Sequence, residues 1–250
     1  MPRDAWAIVL ATLVLATSDM PACAGAQPAA QSGLSGAAAA TAETDLPSYV
    51  PPMRGAPRGR IGGASRGAGG NAASMEEIDV IAPDHVGLTR REQPTLYWFS
   101  KGRVPTAAVF TLIPTDTEKP LVERVMPGPQ GPGIHAVPLA GSPVRLAPGR
   151  EYEWSISVPD PGEDRSRDIV ASGILKRDAS GSAPPENVSA VDAARIDARS
   201  GRFYDAIEDI SRALAGGATG ADAAALRHAR AALLDQVGLD AAAAFDRAPH

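Results

Sequence analysis

The chain has 250 residues, of which 44% are hydrophobic, so it can bury a core, and its length allows one or two domains. A formal net charge of -5 argues against a general nucleic-acid-binding protein. The single cysteine, Cys23, lies close to the N-terminus, which excludes an internal disulfide or a thiolate metal site in the rest of the chain.

Residues 1–26 have the pattern of a secretory signal peptide. Arg3 precedes an apolar stretch over 5–17, and residues 24–26 provide the small side chains of a cleavage site. The stretch is shorter than the ~20 residues that a spanning helix needs, and no later segment is long and apolar enough. The sequence therefore predicts a periplasmic or secreted protein that begins at Gln27 and has no transmembrane segment. Acylation of Cys23, as in a lipoprotein, is the alternative.

Two low-complexity segments follow the signal peptide. Residues 27–48 contain hardly any large apolar side chain, so burial cannot offset their ordering entropy and we expect disorder. Residues 49–77 form a Gly/Arg-rich segment that we expect to be extended. Its apolar residues Tyr49, Val50 and Ile61 would attach it to the edge of a sheet.

The arginines of this second segment are the candidate binding residues. A guanidinium group matches phosphate and carboxylate, so we expect Arg58, Arg60 and Arg66 to contact an anionic group. The partner would be an envelope protein or an anionic envelope polymer, and the predicted export disfavours nucleic acid. A flexible basic linker is the alternative interpretation.

Residues 78–178 have the pattern of a β-sandwich. Short strands separated by turn residues are predicted over 94–99, 107–113, 121–126, 134–139, 151–158 and 168–177. In the strand at 151–158, apolar residues that include Tyr152 and Trp154 alternate with polar residues and should face the core. An exposed Tyr152 and Trp154 pair that binds sugar is the alternative.

The turn before that strand resembles a turn of fibronectin type III domains. The resemblance rests on Leu146, Pro148, Gly149 and Tyr152. It implies a fibronectin type III or immunoglobulin-like sandwich in which Tyr152 forms a tyrosine corner at the start of the penultimate strand.

Residues 186–247 have helical periodicity. Helices are predicted from about Val188, over 202–215 and over 221–237, and residues 239–247 would add one or two turns. The second helix has an apolar stripe formed by Phe203, Ile207, Ile210 and Leu214. Residues 201–214 resemble part of a single tetratricopeptide-like unit. We therefore expect an α+β fold in which a helical hairpin or a three-helix tail follows the sandwich.

The sequence contains no pattern that indicates catalysis, a cofactor or a metal ion. Residues 63–67 match the hydrolase motif G-x-S-x-G, but no strand is predicted before them and no helix after them. The histidines are interpreted as solvated or singly hydrogen-bonded because none has metal-ligand spacing; they are His85, His135, His228 and His250. The acidic residues Glu76, Glu77 and Asp79 are interpreted as a solvated run.

Several motifs together resemble the bacterial domain of unknown function 928 family. They include Tyr49-Val50-Pro51-Pro52, Arg58-Gly59-Arg60 and the residues at 62–67, 82–89, 94–98, 152–155, 165–168 and 201–206. The resemblance covers about 49–239 and implies an exported protein of unknown activity. The family brings no assigned catalytic residue, and it implies that 49–67 belongs to the domain.

The function that these patterns favour is an exported, non-catalytic binding or assembly module of the cell envelope, with no cofactor. The alternatives are a carbohydrate-active or other hydrolase, whose carboxylates cannot be paired from sequence, and a structural accessory subunit of an envelope complex. An enzyme would show a deep polar pocket with converging acids, whereas a binding module would show a flat face or a free sheet edge. The oligomeric state is left open.

Overall fold

The computed structural model describes residues 46–52, 60–64, 77–160 and 168–249. The predicted signal peptide, most of the segment predicted to be disordered, and two candidate arginines, Arg58 and Arg66, lie outside these residues. The described residues all belong to one compact unit. None of the helices in these ranges is long and apolar enough to cross a membrane.

Strands occupy most of the first half of the described chain. In order they are β1 (Gly63–Ala64), β2 (Glu77–Val80), β3 (Gly87–Thr89), β4 (Thr95–Ser100), β5 (Ala108–Pro114), β6 (Val122–Met126), β7 (Gly133–Pro138), β8 (Glu151–Val158) and β9 (Ile169–Arg177). Buried and more exposed residues alternate strictly along β5 and β8, as expected for strands that have one face in a core.

These strands form two sheets. One has the order β1-β2-β4-β7 and the other the order β3-β9-β8-β5-β6. Neighbouring strands are antiparallel, except that β3 runs parallel to β9. Trp98 of the first sheet shares one buried core with Phe110 and Trp154 of the second, so the two sheets pack face to face.

The α+β class and the strands from 94 onward are confirmed, each within one residue of its predicted ends. The first three strands were not predicted. Glu77 and Asp79, interpreted as part of a solvated run, are both partly exposed and alternate with the buried Ile78 and Val80. A four-residue strand that carries two acids has too few apolar residues for its alternation to be read from sequence.

Helices form the second half. They are α1 (Ala190–Arg199), α2 (Phe203–Ala215), α3 (Gly220–Asp235) and α4 (Asp240–Arg247). The predicted hairpin or three-helix tail therefore contains a further helix, α4, in the described part. Half of residues 240–247 are alanine and one is aromatic, Phe245, so they provide little apolar periodicity for prediction.

The helices cover the outer face of the four-stranded sheet. Both faces of β4 are buried: Leu96 and Trp98 face the sandwich core, whereas Tyr97 and Phe99 belong to a second core formed with the helices. The apolar stripe of α2, including Phe203, lies in this second core. The stripe therefore packs on the sandwich and on neighbouring helices.

Tyr204 of α2 connects the two cores. It is buried in the sandwich core, although it belongs to a helix. The Trp154 Nε1–H group donates to the Tyr204 hydroxyl at 3.0 Å, and that hydroxyl donates to the Ile174 carbonyl at 3.1 Å. The sandwich and the helices are thus joined by buried hydrogen bonds as well as by apolar contact.

Candidate functional site

The helices hold an N-terminal segment of the same chain. The backbone N–H of Tyr49 donates to Gln236 Oε1 at 2.7 Å, and Gln236 Nε2 donates to the Pro47 carbonyl at 3.0 Å. The Val50 N–H donates to the Ala198 carbonyl in α1 at 3.1 Å. Residues 47–50 are therefore bound through their main chain and through the buried side chain of Tyr49, as a peptide ligand would be. We call this contact the N-terminal seat.

The N-terminal seat includes residues at the end of the segment predicted to be disordered. Pro47 and Tyr49 are buried, whereas the side chain of Val50 is half exposed. Of the three predicted apolar anchors, only Tyr49 is buried, because Ile61 is 59% exposed.

Arg60 is the described member of the three candidate arginines. Its Nη1 donates to the carbonyls of Ala82 and Val237, both at 2.9 Å, and its Nη2 donates to the Gly238 carbonyl at 3.1 Å. In these contacts its guanidinium group joins a sandwich loop to the C-terminal side of α3. The next residue, Ile61, exchanges two backbone hydrogen bonds with Ser172 of β9, so residues 60–64 do lie along the sandwich.

Tyr49, His85 and Asp84 form a hydrogen-bonded chain. Tyr49 Oη lies 2.8 Å from His85 Nε2, and His85 Nδ1 lies 2.8 Å from Asp84 Oδ1. The interpretation of His85 as solvated or singly hydrogen-bonded was therefore wrong. Burial, followed by the negative charge of Asp84, raises the pKa of the Tyr49 hydroxyl. These hydrogen bonds link the segment at 46–52 to the loop that contains Asp84 and His85.

A cluster of buried charges lies between α2 and the turn after β3. Asp205 Oδ2 accepts from the Arg90 backbone N–H at 2.7 Å, and Asp205 Oδ1 accepts from Thr89 Oγ1 at 2.9 Å. The Arg91 guanidinium group lies 3.2 Å from both Asp205 and Glu208 and also pairs with Asp209. We call these residues, together with Asp197, the charge cluster.

The acids of the charge cluster are shielded from solvent. The side chains of Asp197, Asp205, Glu208 and Asp209 are each 9% exposed or less. Burial raises the pKa of Asp205 to about 6 against the opposing effect of the Arg90 backbone N–H group. Burial also raises the pKa of Asp209, although Arg91 opposes the shift. The arginine-bound carboxylates join α2 to the sandwich, and Asp209, Arg90 and Arg91 also line an open pocket of about 460 Å³.

We expect the substitution Asp205→Asn to change how stability depends on pH. A carboxyl whose folded pKa is about 6 instead of 3.8 binds a proton more tightly in the folded state. The proton on Asp205 therefore contributes to the free energy of unfolding. This contribution is fully present below about pH 4 and is lost as the pH rises through 6, a change on the order of 3 kcal/mol. The free energy of unfolding of the wild type minus that of the variant should therefore fall between pH 4 and 7. Urea unfolding at each pH measures this difference. The control is Asp116→Asn, at an exposed aspartate. If the free energies of unfolding of the wild type and of Asp205→Asn changed in parallel with pH, the raised pKa of Asp205 would be contradicted.

An open groove of about 1180 Å³ adjoins the N-terminal seat. Its lining includes small side chains of α3, such as Ala223, Ala224 and Ala225, and Leu46 from the N-terminal segment. Its polar lining residues are Thr219, Arg227, His228, Asp246 and Arg247. Asp246 is held by Arg230 through two hydrogen bonds, of 2.6 and 2.7 Å, and Arg247 pairs with Asp235, so two of the charged lining residues already have ionic partners. In the ranges that the structure describes, no three His, Cys, Asp or Glu side chains are placed to hold a metal ion.

Comparison with protein families gives one match. The family described as Domain of Unknown Function (DUF928) matches residues 61–246, which is well over half of the chain. The chain belongs to the DUF928 family. The match begins with the residue that pairs with β9 and ends in α4, so it contains both the sandwich and the helices of this DUF928 chain. A search of curated proteins found no match.

Sequence reasoning missed the charge cluster of this DUF928 chain. Asp205, Glu208 and Asp209 lie off the apolar stripe of α2, and charged residues on that side of an amphipathic helix are expected to face water. The complementary signal is the adjacent pair Arg90 and Arg91, about 115 residues earlier. Such a pairing is set by tertiary contact, which no local pattern encodes.

Proposed function

We propose that this DUF928 chain is an exported, non-catalytic binding or assembly module that holds an extended peptide segment of an envelope partner. The observation that carries the proposal is the N-terminal seat, where the helices bind residues 47–50 through main-chain hydrogen bonds beside an open groove. Main-chain recognition next to free space is what a peptide-binding surface provides.

The charge cluster supports a binding module over a hydrolase. A general acid and base must reach the substrate, whereas the four converging carboxylates are buried and paired with arginine, threonine or backbone groups. A structural accessory subunit of an envelope complex remains compatible with the same surface, because assembly and peptide binding use the same contacts.

The proposed compartment is the periplasm or the medium. It rests on the signal-peptide pattern of residues 1–26 and on the cleavage site that precedes Gln27. N-terminal sequencing of the protein from its native cell should begin at Gln27. A cytoplasmic pool that retains Met1 would contradict this, and a diacylglycerol on Cys23 would support the lipoprotein alternative.

We further propose that the partner carries an anionic group, which Arg60 does not contact. Because the Arg60 guanidinium group donates to three carbonyls, we infer that it positions its neighbours. Arg58 and Arg66 are then the candidates for contact with a phosphate or carboxylate of the partner. Alanine at both positions should weaken binding in a salt-dependent way.

We also propose that the sandwich is of the fibronectin type III or immunoglobulin type. Its support is the order of the strands and the Tyr152 hydroxyl, which accepts from the Ala147 N–H at 2.8 Å at the start of the penultimate strand. This is the contact that defines a tyrosine corner.

The substitution Tyr152→Phe should lower the free energy of unfolding by about 1–2 kcal/mol, because it leaves the Ala147 N–H without its acceptor. The phenyl ring keeps the buried packing. The difference in free energy of unfolding between the two proteins, measured by chemical denaturation, therefore reports the contribution of the hydroxyl group. A loss below about 0.5 kcal/mol would argue against the corner.

Photo-crosslinking tests the binding function. A photoreactive residue in place of His228, which is exposed in the groove, should give a specific adduct in an envelope extract. The matched control places the same residue at Val125 on β6, which is 64% exposed and lies on the five-stranded sheet. Identical adducts from both positions, or none from His228, would contradict a partner site in the groove.

A further inference from the structure

Strand β7 is the last strand of the four-stranded sheet. It pairs with β4 on one side, and within the described ranges no strand pairs with its other side. The main-chain N–H and C=O groups of that side can therefore pair with an extended segment of another molecule. The free edge lies beside β6 of the other sheet, because Arg124 of β6 donates to the Pro138 carbonyl of β7 at 3.0 Å.

A cavity of about 420 Å³ opens beside this edge, and we call it the β7 cavity. Its volume is within the range of about 300–1,000 Å³ that is typical of ligand pockets. An uncharged occupant is favoured, because the lining offers no ionic partner to a charge that is removed from water. The lining residues, none of them charged when histidine is neutral, are Trp98, Met126, Gln130, Ile134, His135 and Ala136.

Trp98 supplies the β7 cavity with a hydrogen-bond donor that the fold leaves unused. The Trp98 side chain is 1% exposed, and its Nε1–H group has no acceptor among the described residues. The indole of Trp154, which is equally buried, donates to the Tyr204 hydroxyl at 3.0 Å. A buried donor without an acceptor is destabilising, so an acceptor that enters the cavity gains a hydrogen bond with Trp98.

His135 and Gln130 supply acceptors to the same cavity. His135 Nε2 lies 2.9 Å from the Gly131 carbonyl, which can only accept, so Nε2 carries the proton and Nδ1 is an acceptor. Burial lowers the pKa of His135 against the effect of the Gly131 carbonyl, which favours the neutral ring. Gln130 Nε2 donates to the Pro127 carbonyl at 2.7 Å, which leaves Gln130 Oε1 as an acceptor.

A primary amide is the complement of these three groups, because it has one carbonyl and two N–H donors. Trp98 and His135 are directly opposed in β4 and β7, so their side chains share the inner face of the sheet. A strand added to β7 lies two strand spacings, about 10 Å, from β4. Its inward side chain must therefore be long to reach Trp98, which favours glutamine over asparagine.

We propose that the free edge of β7 binds an extended segment of a partner protein and that the β7 cavity receives a glutamine side chain of that segment. The glutamine carbonyl accepts from Trp98 Nε1–H, its two N–H groups donate to His135 Nδ1 and Gln130 Oε1, and its methylene groups contact Met126. This site is separate from the groove beside the N-terminal seat, so either site can fail without the other.

Nuclear magnetic resonance with a model peptide tests the proposal. The chain that begins at Gln27 has two tryptophans, Trp98 and Trp154, and so gives two indole N–H signals. The probe is a peptide with blocked ends that has glutamine between two threonines on each side. Its addition should move the Trp98 signal downfield in a saturable way, whereas the Trp154 signal should not move because its donor already has an acceptor. A Trp98 signal that stays in place would overturn the proposal.

The central residue of the probe separates amide recognition from edge pairing alone. A peptide with leucine at the centre should bind at least about tenfold more weakly, because it leaves the Trp98 donor unpaired. A peptide with glutamate there should also bind more weakly, because it brings a charge into an uncharged cavity. Equal affinity for the glutamine and leucine peptides would overturn the proposal. A Trp98 signal that moves with N-acetylglucosamine but not with the glutamine peptide would also overturn it, because the amide would then belong to a sugar.

A pair of variants on β6 locates the site. Met126→Lys places a charge in the wall of the β7 cavity and should weaken binding of the glutamine peptide at least about tenfold. Val125→Lys is the matched control, because Val125 is 64% exposed on the opposite face of β6, and it should leave the affinity unchanged. An unchanged position of the Trp154 signal shows that each variant is folded. If Met126→Lys does not fold, Gln130→Ala removes one acceptor and should weaken binding about three- to tenfold. Wild-type affinity in the folded variant would overturn the proposal.

Discussion

Replacing Trp154 by alanine is expected to lower the free energy of unfolding by about 3–5 kcal/mol, as large aromatic deletions in cores do. Trp154 is fully buried and packs against the rings of Phe110 and Tyr204. The substitution leaves a cavity between the sheets and removes the hydrogen bond from Trp154 Nε1 to the Tyr204 hydroxyl. Guanidinium or urea unfolding, followed by far-ultraviolet circular dichroism, measures the loss.

The matched control for this prediction is Val125→Ala on the exposed face of β6. Surface substitutions usually change stability by no more than about 0.5 kcal/mol, and Val125 contacts solvent. A loss below about 1 kcal/mol for Trp154→Ala would contradict the packing of this face. The alternative of an exposed, sugar-binding pair was wrong, because Tyr152 and Trp154 are 1% and 0% exposed.

Replacing Arg91 by methionine should cost about 3 kcal/mol or more at neutral pH. The guanidinium group of Arg91 faces Asp205, Glu208 and Asp209, and its removal leaves these buried carboxylates with less positive charge. Breaking a buried ion pair from one side is costly because the remaining charge is desolvated without compensation. Methionine keeps much of the apolar volume of the arginine side chain, so the decrease in free energy of unfolding reports the removal of the positive charge.

The same variant should recover part of its stability at lower pH. Burial raises the pKa of Asp209 and Arg91 opposes that shift, so without Arg91 the folded pKa of Asp209 rises further and the folded state takes up a proton that the unfolded state does not. The free energy of unfolding of the variant should then increase as the pH falls from 7 towards 5. Arg212→Met is the control, because Arg212 also pairs with Asp209 but its side chain is 64% exposed; it should cost less than about 1 kcal/mol. Equal losses for Arg91→Met and Arg212→Met would contradict the structural role of the charge cluster.

The sequence predicted those elements whose pattern is local. Strand β8 alternates strictly between polar and apolar residues, and its predicted ends agree with the structure. Helix α2 has a clear apolar stripe, and its predicted range is within one residue of the observed one. In both elements a single face meets a core, which is the case that periodicity detects.

Elements that contact two neighbours were harder to interpret. Strand β4 reads Thr-Leu-Tyr-Trp-Phe-Ser, with both faces apolar, because one face meets the sandwich and the other the helices. The sequence predicts this strand but not the layer that covers its outer face. The pairing of Glu208 with Thr95, at the start of β4, is equally invisible from sequence.

The candidate site was predicted only in part. The sequence drew attention to the segment that contains Arg60 and Ile61, because apolar residues among many glycines and arginines are unusual in a linker. In the structure Arg60 donates to three backbone carbonyls of the same chain and Ile61 is 59% exposed. The groove could not be predicted, since alanine is common in any helix and does not distinguish an open surface from a packed one. The N-terminal seat depends on Gln236, an exposed residue type that gives no signal in sequence.

The N-terminal seat also orders events during synthesis. Tyr49 and Gln236 are 187 positions apart, so a growing chain has made nearly all of its residues before Tyr49 can find its partner. At a synthesis rate of about 5–20 residues per second, Gln236 is made on the order of 10–40 s after Tyr49. During that interval Tyr49 is free for other contacts. Residues 47–50 therefore become inaccessible to other molecules only after the C-terminal helices have been made.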